Sequence, residues 1–194
     1  MEFQTVKSYQ KYILKMNIGF DLDKIFINFP PFVPSKIIDL FYKERTNHEL
    51  KYRIPSKAEQ IIRIFSHHPL LRFPITQNLN YLNNLALANN NKYYLISSRF
   101  GFLKNRTDNL IKRYRLDKIF KAMYFNYENK QPHQFKNEVI GKLNLGMYVD
   151  DDLQLLEYLI DKNPKTKFFW LNNKISKPLK KNLFAIKHLS EMFA

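Results

Sequence analysis

Met16-Asn17-Ile18-Gly19-Phe20-Asp21-Leu22-Asp23 is the stretch on which the fold turns. An apolar run of strand length ends abruptly in two carboxylates separated by Leu22. Where a chain leaves the regular pleat, two such side chains can point in different directions and do different work. Apolar character resumes at Ile25-Phe26-Ile27, read as a continuation of the strand, and Pro30, Pro31 and Pro34 then break it. Two later runs repeat the pattern. Lys92 to Ile96 passes directly into Ser97-Ser98-Arg99, and Gly146-Met147-Tyr148-Val149 ends in Asp150-Asp151-Asp152.

Helical spacing fills the intervals. It predicts helices from Ser35 to about Tyr42, from Pro55 or Ser56 (a capping box with Glu59), and from Thr76 to Asn89. Further helices are expected around Thr107 to Tyr114, over Lys136 to Leu143 and from Leu153 to Ile160, with strands near Lys121 to Phe125 and over Lys167 to Leu171. From Ser97 onward strands and helices alternate as βα units of a parallel sheet do. The reading is α/β: a Rossmann-like three-layer parallel sheet with a small helical cap inserted after the first strand. Residues 1–28 and 73–194 make the core and 29–72 the cap.

Composition narrows the chemistry. The 194 residues are 45% apolar and 15% aromatic, enough for a continuous core. The absence of cysteine removes disulfides, thiolate catalysis and cysteine zinc sites. No apolar run is long enough to span a membrane, and residues 1–15 lack a signal-peptide core, so a soluble cytoplasmic protein is expected. With 32 Lys+Arg against 17 Asp+Glu, the net charge is +15. Such a surface attracts nucleic acid or another polyanion and steers phosphorylated ligands, although an AT-rich coding sequence accounts for the Lys content equally well. Eight lysines and no acid between Lys162 and Lys187 concentrate the charge. They read as a solvated face or as contacts to a phosphate backbone.

In open α/β sheets ligands bind beyond the carboxyl ends of the strands. Asp21/Asp23, Ser97/Ser98 and Asp150/Asp151/Asp152 all fall there and converge if their strands are neighbours. Carboxylates so gathered repel one another unless a cation neutralises them. Oxygen donors without cysteine favour a hard ion, Mg²⁺ first. The histidines (His48, His67, His68, His133 and His188) lack the i, i+4 spacing of a helical zinc site and read as surface or capping residues. Trp170 reads as core. Phe29 and Phe32 read as core or as cleft lining.

On these motifs the chain resembles the haloacid dehalogenase-like superfamily. The resemblance rests on Ile18-Gly19-Phe20-Asp21-Leu22-Asp23, Tyr93-Tyr94-Leu95-Ile96-Ser97 and Met147-Tyr148-Val149-Asp150-Asp151. It implies a Mg²⁺-dependent phosphatase acting on a small phosphorylated substrate. Asp21 would be the nucleophile that becomes an aspartyl-phosphate, and Asp23 the general acid/base. Ser97 and Ser98 would bind phosphate. The motif lysine, Lys136 with Lys130 as the alternative, would offset charge on Asp21 and the phosphoryl group. Metal would be held by Asp21, the Asp23 carbonyl and Asp150 or Asp151. The family's first motif commonly continues with Gly-Thr, whereas Lys24-Ile25 follows here. A lysine at that place either alters phosphate binding or points to solvent. Two alternatives stand beside this reading: a phosphatase of nucleotides or nucleic-acid ends, and a non-catalytic nucleic-acid-binding or interaction protein on the same fold.

Overall fold

The computed structural model describes residues 15–30, 50–88 and 90–193. Among them a single sheet of seven strands runs in the order β3-β2-β1-β4-β5-β7-β6. The strands are β1 (Asn17–Phe20), β2 (Lys92–Ser97), β3 (Ala122–Phe125), β4 (Met147–Asp150), β5 (Lys167–Leu171), β6 (Lys177–Lys180) and β7 (Leu183–Ile186). The helices are α1 (Lys57–Ser66), α2 (Thr76–Ala88), α3 (Lys104–Arg113), α4 (Pro132–Leu143) and α5 (Leu153–Lys162). All neighbouring strands pair in parallel except β6, which runs antiparallel to β7 at the edge. The parallel α/β sheet expected from the sequence is observed, with β6 added as an antiparallel edge strand.

The period of two along each central strand makes the three layers. Ile18 and Phe20, Tyr93 and Leu95, and Met147 and Val149 face one core with Leu82 of α2 and Leu110 of α3. Tyr94, Ile96, Tyr148 and Phe168 face the other with Val139 of α4 and Leu156 of α5. β1 lies between β2 and β4, so the strands ending at Asp21, Ser97 and Asp150 are neighbours. Convergence of the three polar clusters requires this arrangement.

Local differences have physical causes. Ile25, Phe26 and Ile27 do not extend β1. They are buried in a compact loop that carries only isolated bridges, Asp23 to Ile27 and Ile27 to Pro74. Their hydrophobicity reflects burial of a turn, and periodicity cannot separate that from a strand. α4 begins at Pro132, whose missing N–H suits a first turn, four residues before the expected start. α1 begins as the capping box predicts, with Ser56 and Glu59 bonded reciprocally. The expected helix from Ser35 to Tyr42, and Phe32, lie outside the described residues. β6 and β7 have no counterpart in the sequence reading, because the Lys162–Lys187 run reads first as charge. No helix among the described residues is long and apolar enough to cross a membrane.

Gly19 marks the tightest packing beside the site. A Cβ there would stand 2.5 Å from Leu145 Cδ1 and 2.9 Å from Tyr148 Cδ2. Gly19→Ala is expected to destabilise the protein by about 1–3 kcal/mol through overpacking. Gly141, near the end of α4, has only Asn163 Oδ1 at 4.0 Å, so Gly141→Ala should stabilise by about 0.5–1 kcal/mol. Urea unfolding of the two variants beside the wild type checks both signs.

Candidate active site

β1 and β4 deliver their carboxylates to one point. Asp21 follows Phe20, and its N–H donates to the Val149 carbonyl at 2.9 Å, so β1 stays in register with β4 to the last residue. Carboxylate oxygens of Asp21, Asp150 and Asp151 lie within 4.8 Å of one another. α4 supplies the counter-charge. Lys136, 4% exposed, donates through Nζ to Asp21 Oδ1 at 2.8 Å and to Asp150 Oδ2 at 2.6 Å. Tyr148 Oη also donates to Asp150 Oδ2, at 2.9 Å, and the N–H of Asp152 donates to Asp150 Oδ1 at 3.1 Å. Lys130 is not brought to this point. Its ammonium, 41% exposed, pairs with Glu138 at 2.7 Å and Glu128 at 3.6 Å on the surface.

The second aspartate of the first motif faces a different environment. Asp23 receives a bidentate pair from Arg99, Nε at 2.8 Å and Nη2 at 2.7 Å, and a further contact from Arg72 Nη1 at 3.3 Å. Arg72, 1% exposed, also meets His67 Nε2 at 2.7 Å and donates to the Ser66 carbonyl at 3.1 Å. His67 Nδ1 sits 2.8 Å from the Arg63 carbonyl. His67 is the C-cap residue of α1, as one of its two sequence readings has it, but it is buried in an ionic network and not at the surface. The network ties the segment around α1 to the loop after β1.

Charge and burial set opposite protonation tendencies on the two aspartates. Burial pushes Asp21 well above the usual carboxylate range, Lys136 opposes it, and Asp150, Asp23 and Asp151 add to the rise. Burial also pushes at Asp23, but Arg99, Arg72 and His67 outweigh it and hold that carboxyl well below the usual range. Asp151 is raised to about 6 by burial, against the pull of Lys24. Burial alone would lower Lys136, yet Asp150 and Asp21 hold it well above the usual lysine range. His67 is driven well down by burial and by Arg72 and Arg99.

Asp21, Asp23, His67, Arg99, Lys136, Asp150 and Asp151 line one cavity of about 280 Å³. Ser97 closes β2 and Ser98 follows it, both on the wall. Ser98 Oγ is buried with no hydrogen-bond partner among the described residues. Lys24, Phe29, Tyr52, Arg53, Arg63 and Trp170 line the remainder. Trp170 is half-buried: it packs against the second core, as the sequence suggests, and also lines the wall, donating through Nε1 to the Asp151 carbonyl at 2.9 Å. Tyr52 Oη donates to Asp152 Oδ2 at 2.8 Å, while Gln131 bonds both the N–H and the carbonyl of Tyr52. The donor set fits a hard divalent cation: the cluster is all oxygen, and its three carboxylates lie within 4.8 Å of one another.

No family model matches the chain, and no curated protein matches it by sequence. Solved structures do. A haloacid dehalogenase-like hydrolase from Streptococcus pneumoniae is 13% identical, aligned over 92% of this chain and 97% of that one, with a TM-score of 0.59. The fold is that of the haloacid dehalogenase-like hydrolases. A second member, from Bacteroides thetaiotaomicron, is a variant solved with magnesium and inorganic phosphate; it is 14% identical over 93% of this chain and 99% of that one, with a TM-score of 0.56. A chain of the Pnkp1/Rnl/Hen1 RNA repair complex is also similar, at 14% identity and a TM-score of 0.52. The match covers 81% of the present chain but spans only 43% of that longer chain.

The signs of these shifts fix a pH dependence for metal-free protein. Asp151 has a raised carboxyl, so its ionisation costs stability as pH climbs from about 4 to about 6. With EDTA present, Asp151→Asn should be more stable than wild type at pH 7, by about 1–3 kcal/mol, with the gap closing below pH 4. Thermal unfolding across that range checks it.

Proposed function

We propose that the protein is a Mg²⁺-dependent phosphomonoester hydrolase working through an aspartyl-phosphate on Asp21. The observation that carries the reading is Lys136 bridging Asp21 and Asp150 inside a cluster of three carboxylates, at the carboxyl edge of this fold. An unprotonated Asp21 oxygen attacks phosphorus in line, and the bond from phosphorus to the leaving oxygen breaks. Lys136 opposes the burial that raises the Asp21 carboxyl and holds its Oδ1 in place at 2.8 Å. Ser97 Oγ and the unpartnered Ser98 Oγ are the hydroxyls available to phosphoryl oxygens. Asp21, the Asp23 carbonyl and Asp150 or Asp151 would hold Mg²⁺, which supplies neutralisation of phosphoryl charge.

Asp23 serves as the general acid/base. The Arg99 and Arg72 pairing keeps its carboxyl ionised in the free protein, prepared to take a proton from water. For its acid half that pairing loosens as an anionic substrate enters the cavity that Arg99 also lines, and Asp23 takes up a proton that it gives to the leaving oxygen. It then takes a proton from the water that attacks phosphorus, which releases inorganic phosphate and restores the Asp21 carboxylate. Residues 29–72 are assigned as the cap; within its described part, Tyr52 bonds to Asp152 and Arg72 to Asp23 of the core. Hydrolysis of an aryl phosphate with Mg²⁺ tests the reading. Asp21→Asn should lower kcat by about 10³-fold or more, and EDTA should abolish turnover. Undiminished turnover in Asp21→Asn would overturn it.

A second reading names the substrate as the phosphorylated end of a nucleic acid. β7 runs parallel to β5 and β6 returns beside it, which sets the exposed Lys174, Lys177 and Lys187 on the same sheet edge as Asp150. Likeness to a chain of an RNA repair complex points the same way. Replacing the three lysines by glutamine should lower kcat/KM for an end-phosphorylated oligonucleotide and flatten its salt dependence by roughly one ion for each ammonium removed. Aryl phosphate turnover should not change.

A further inference from the structure

Lys24 is a residue of the cavity to which the phosphatase reading gives no role. It stands immediately after Asp23 with φ 58°, in a turn closed by its N–H donating to the Ile27 carbonyl at 2.8 Å. Glycine adopts left-handed backbone freely, whereas a residue with a Cβ does so at a cost. The turn itself gains nothing from lysine, so what lysine adds is its side chain.

That side chain enters the cavity. Nζ lies 2.9 Å from Asp151 Oδ2 and 4.9 Å from the centre of the Phe29 ring. The two ammonium groups of the site differ in their surroundings. Lys136 is 4% exposed, and withdrawing it would strip Asp21 and Asp150 together. Lys24 is 32% exposed on a flexible stem beside solvent, and it can leave Asp151 without burying a bare charge. Asp151 belongs to the carboxylate cluster that fits a divalent cation, so a cation and Lys24 draw on the same carboxylate.

We infer that Lys24 is a transferable cation of the site: it neutralises Asp151 in the metal-free protein and passes to the phosphoryl group when a divalent cation takes Asp151. The inference rests on the phosphatase reading and deepens it by adding a phosphate-binding residue. It carries a signature with two opposite signs. Without Lys24 the carboxylates hold a cation more tightly, because a competing positive charge is gone. Phosphate is held less tightly, because one of its positive partners is gone.

Thermal unfolding read first against MgCl₂, then against inorganic phosphate at saturating Mg²⁺, tests both signs without reference to turnover. Lys24→Gly should reach half-maximal Mg²⁺ stabilisation at lower concentration, on the order of fivefold. It should need several-fold more phosphate. Lys24→Met, which keeps the Cβ, should show the same two shifts, and Lys24→Arg should restore phosphate binding. Unchanged midpoints, or both midpoints moving to higher concentration, would overturn the role of Lys24 while leaving the phosphatase reading in place. A wild type that Mg²⁺ does not stabilise would overturn the metal reading and this inference together.

Discussion

A buried ammonium between two buried carboxylates is the constraint around which the rest of the site is arranged. Desolvating Asp21 and Asp150 a few ångströms apart is strongly unfavourable unless a positive charge lies between them. Lys136 fills that place only because α4 starts at Pro132 and packs Val139 and Ile140 against β2 and β4, which aims its stem at the ends of β1 and β4. Removing one partner would leave an uncompensated charge in the interior, so helix position, strand order and site charge are mutually dependent. The three layers hold the core; this triad fixes where the carboxylates gather at the sheet edge.

A second ionic network answers the first across the cavity. Arg99 comes from the loop after β2, and Arg72 from the chain beyond α1. Both converge on Asp23, and His67 meets Arg72 at 2.7 Å. Two aspartates separated by one residue thus stand in opposite fields: burial and like charges act on Asp21, paired guanidinium groups on Asp23. This is how adjacent carboxylates come to be suited to different tasks. The same network makes the segment around α1 part of the site.

What the sequence made legible follows from range. Asp21, Ser97 and Asp150 each follow directly on an apolar run, so strand ends and polar groups could be read from neighbours alone. Lys136 was readable only through resemblance, since nothing local separates it from Lys130; α4 decides between them by turning one inward and leaving the other with Glu138. Arg72, Arg99 and His67 escaped because a buried charge looks the same as an exposed one in a hydropathy pattern. Arg99 had a usable signal, as it directly follows Ser97-Ser98 at a strand end. Arg63 and His67, four apart across the last turn and C-cap of α1, were a second signal. β7 was visible as Leu183-Phe184-Ala185-Ile186, but the surrounding lysines masked it.

The central claim is that Asp21 becomes covalently phosphorylated. It is tested most directly by acid-quenching the protein during turnover with Mg²⁺ and a phosphomonoester, reducing with borohydride and mapping the peptide by mass spectrometry. The account predicts conversion of residue 21 to homoserine, the reduction product of an acyl phosphate, dependent on substrate and Mg²⁺. Turnover with residue 21 unmodified, or with the modification on another carboxylate, would contradict it.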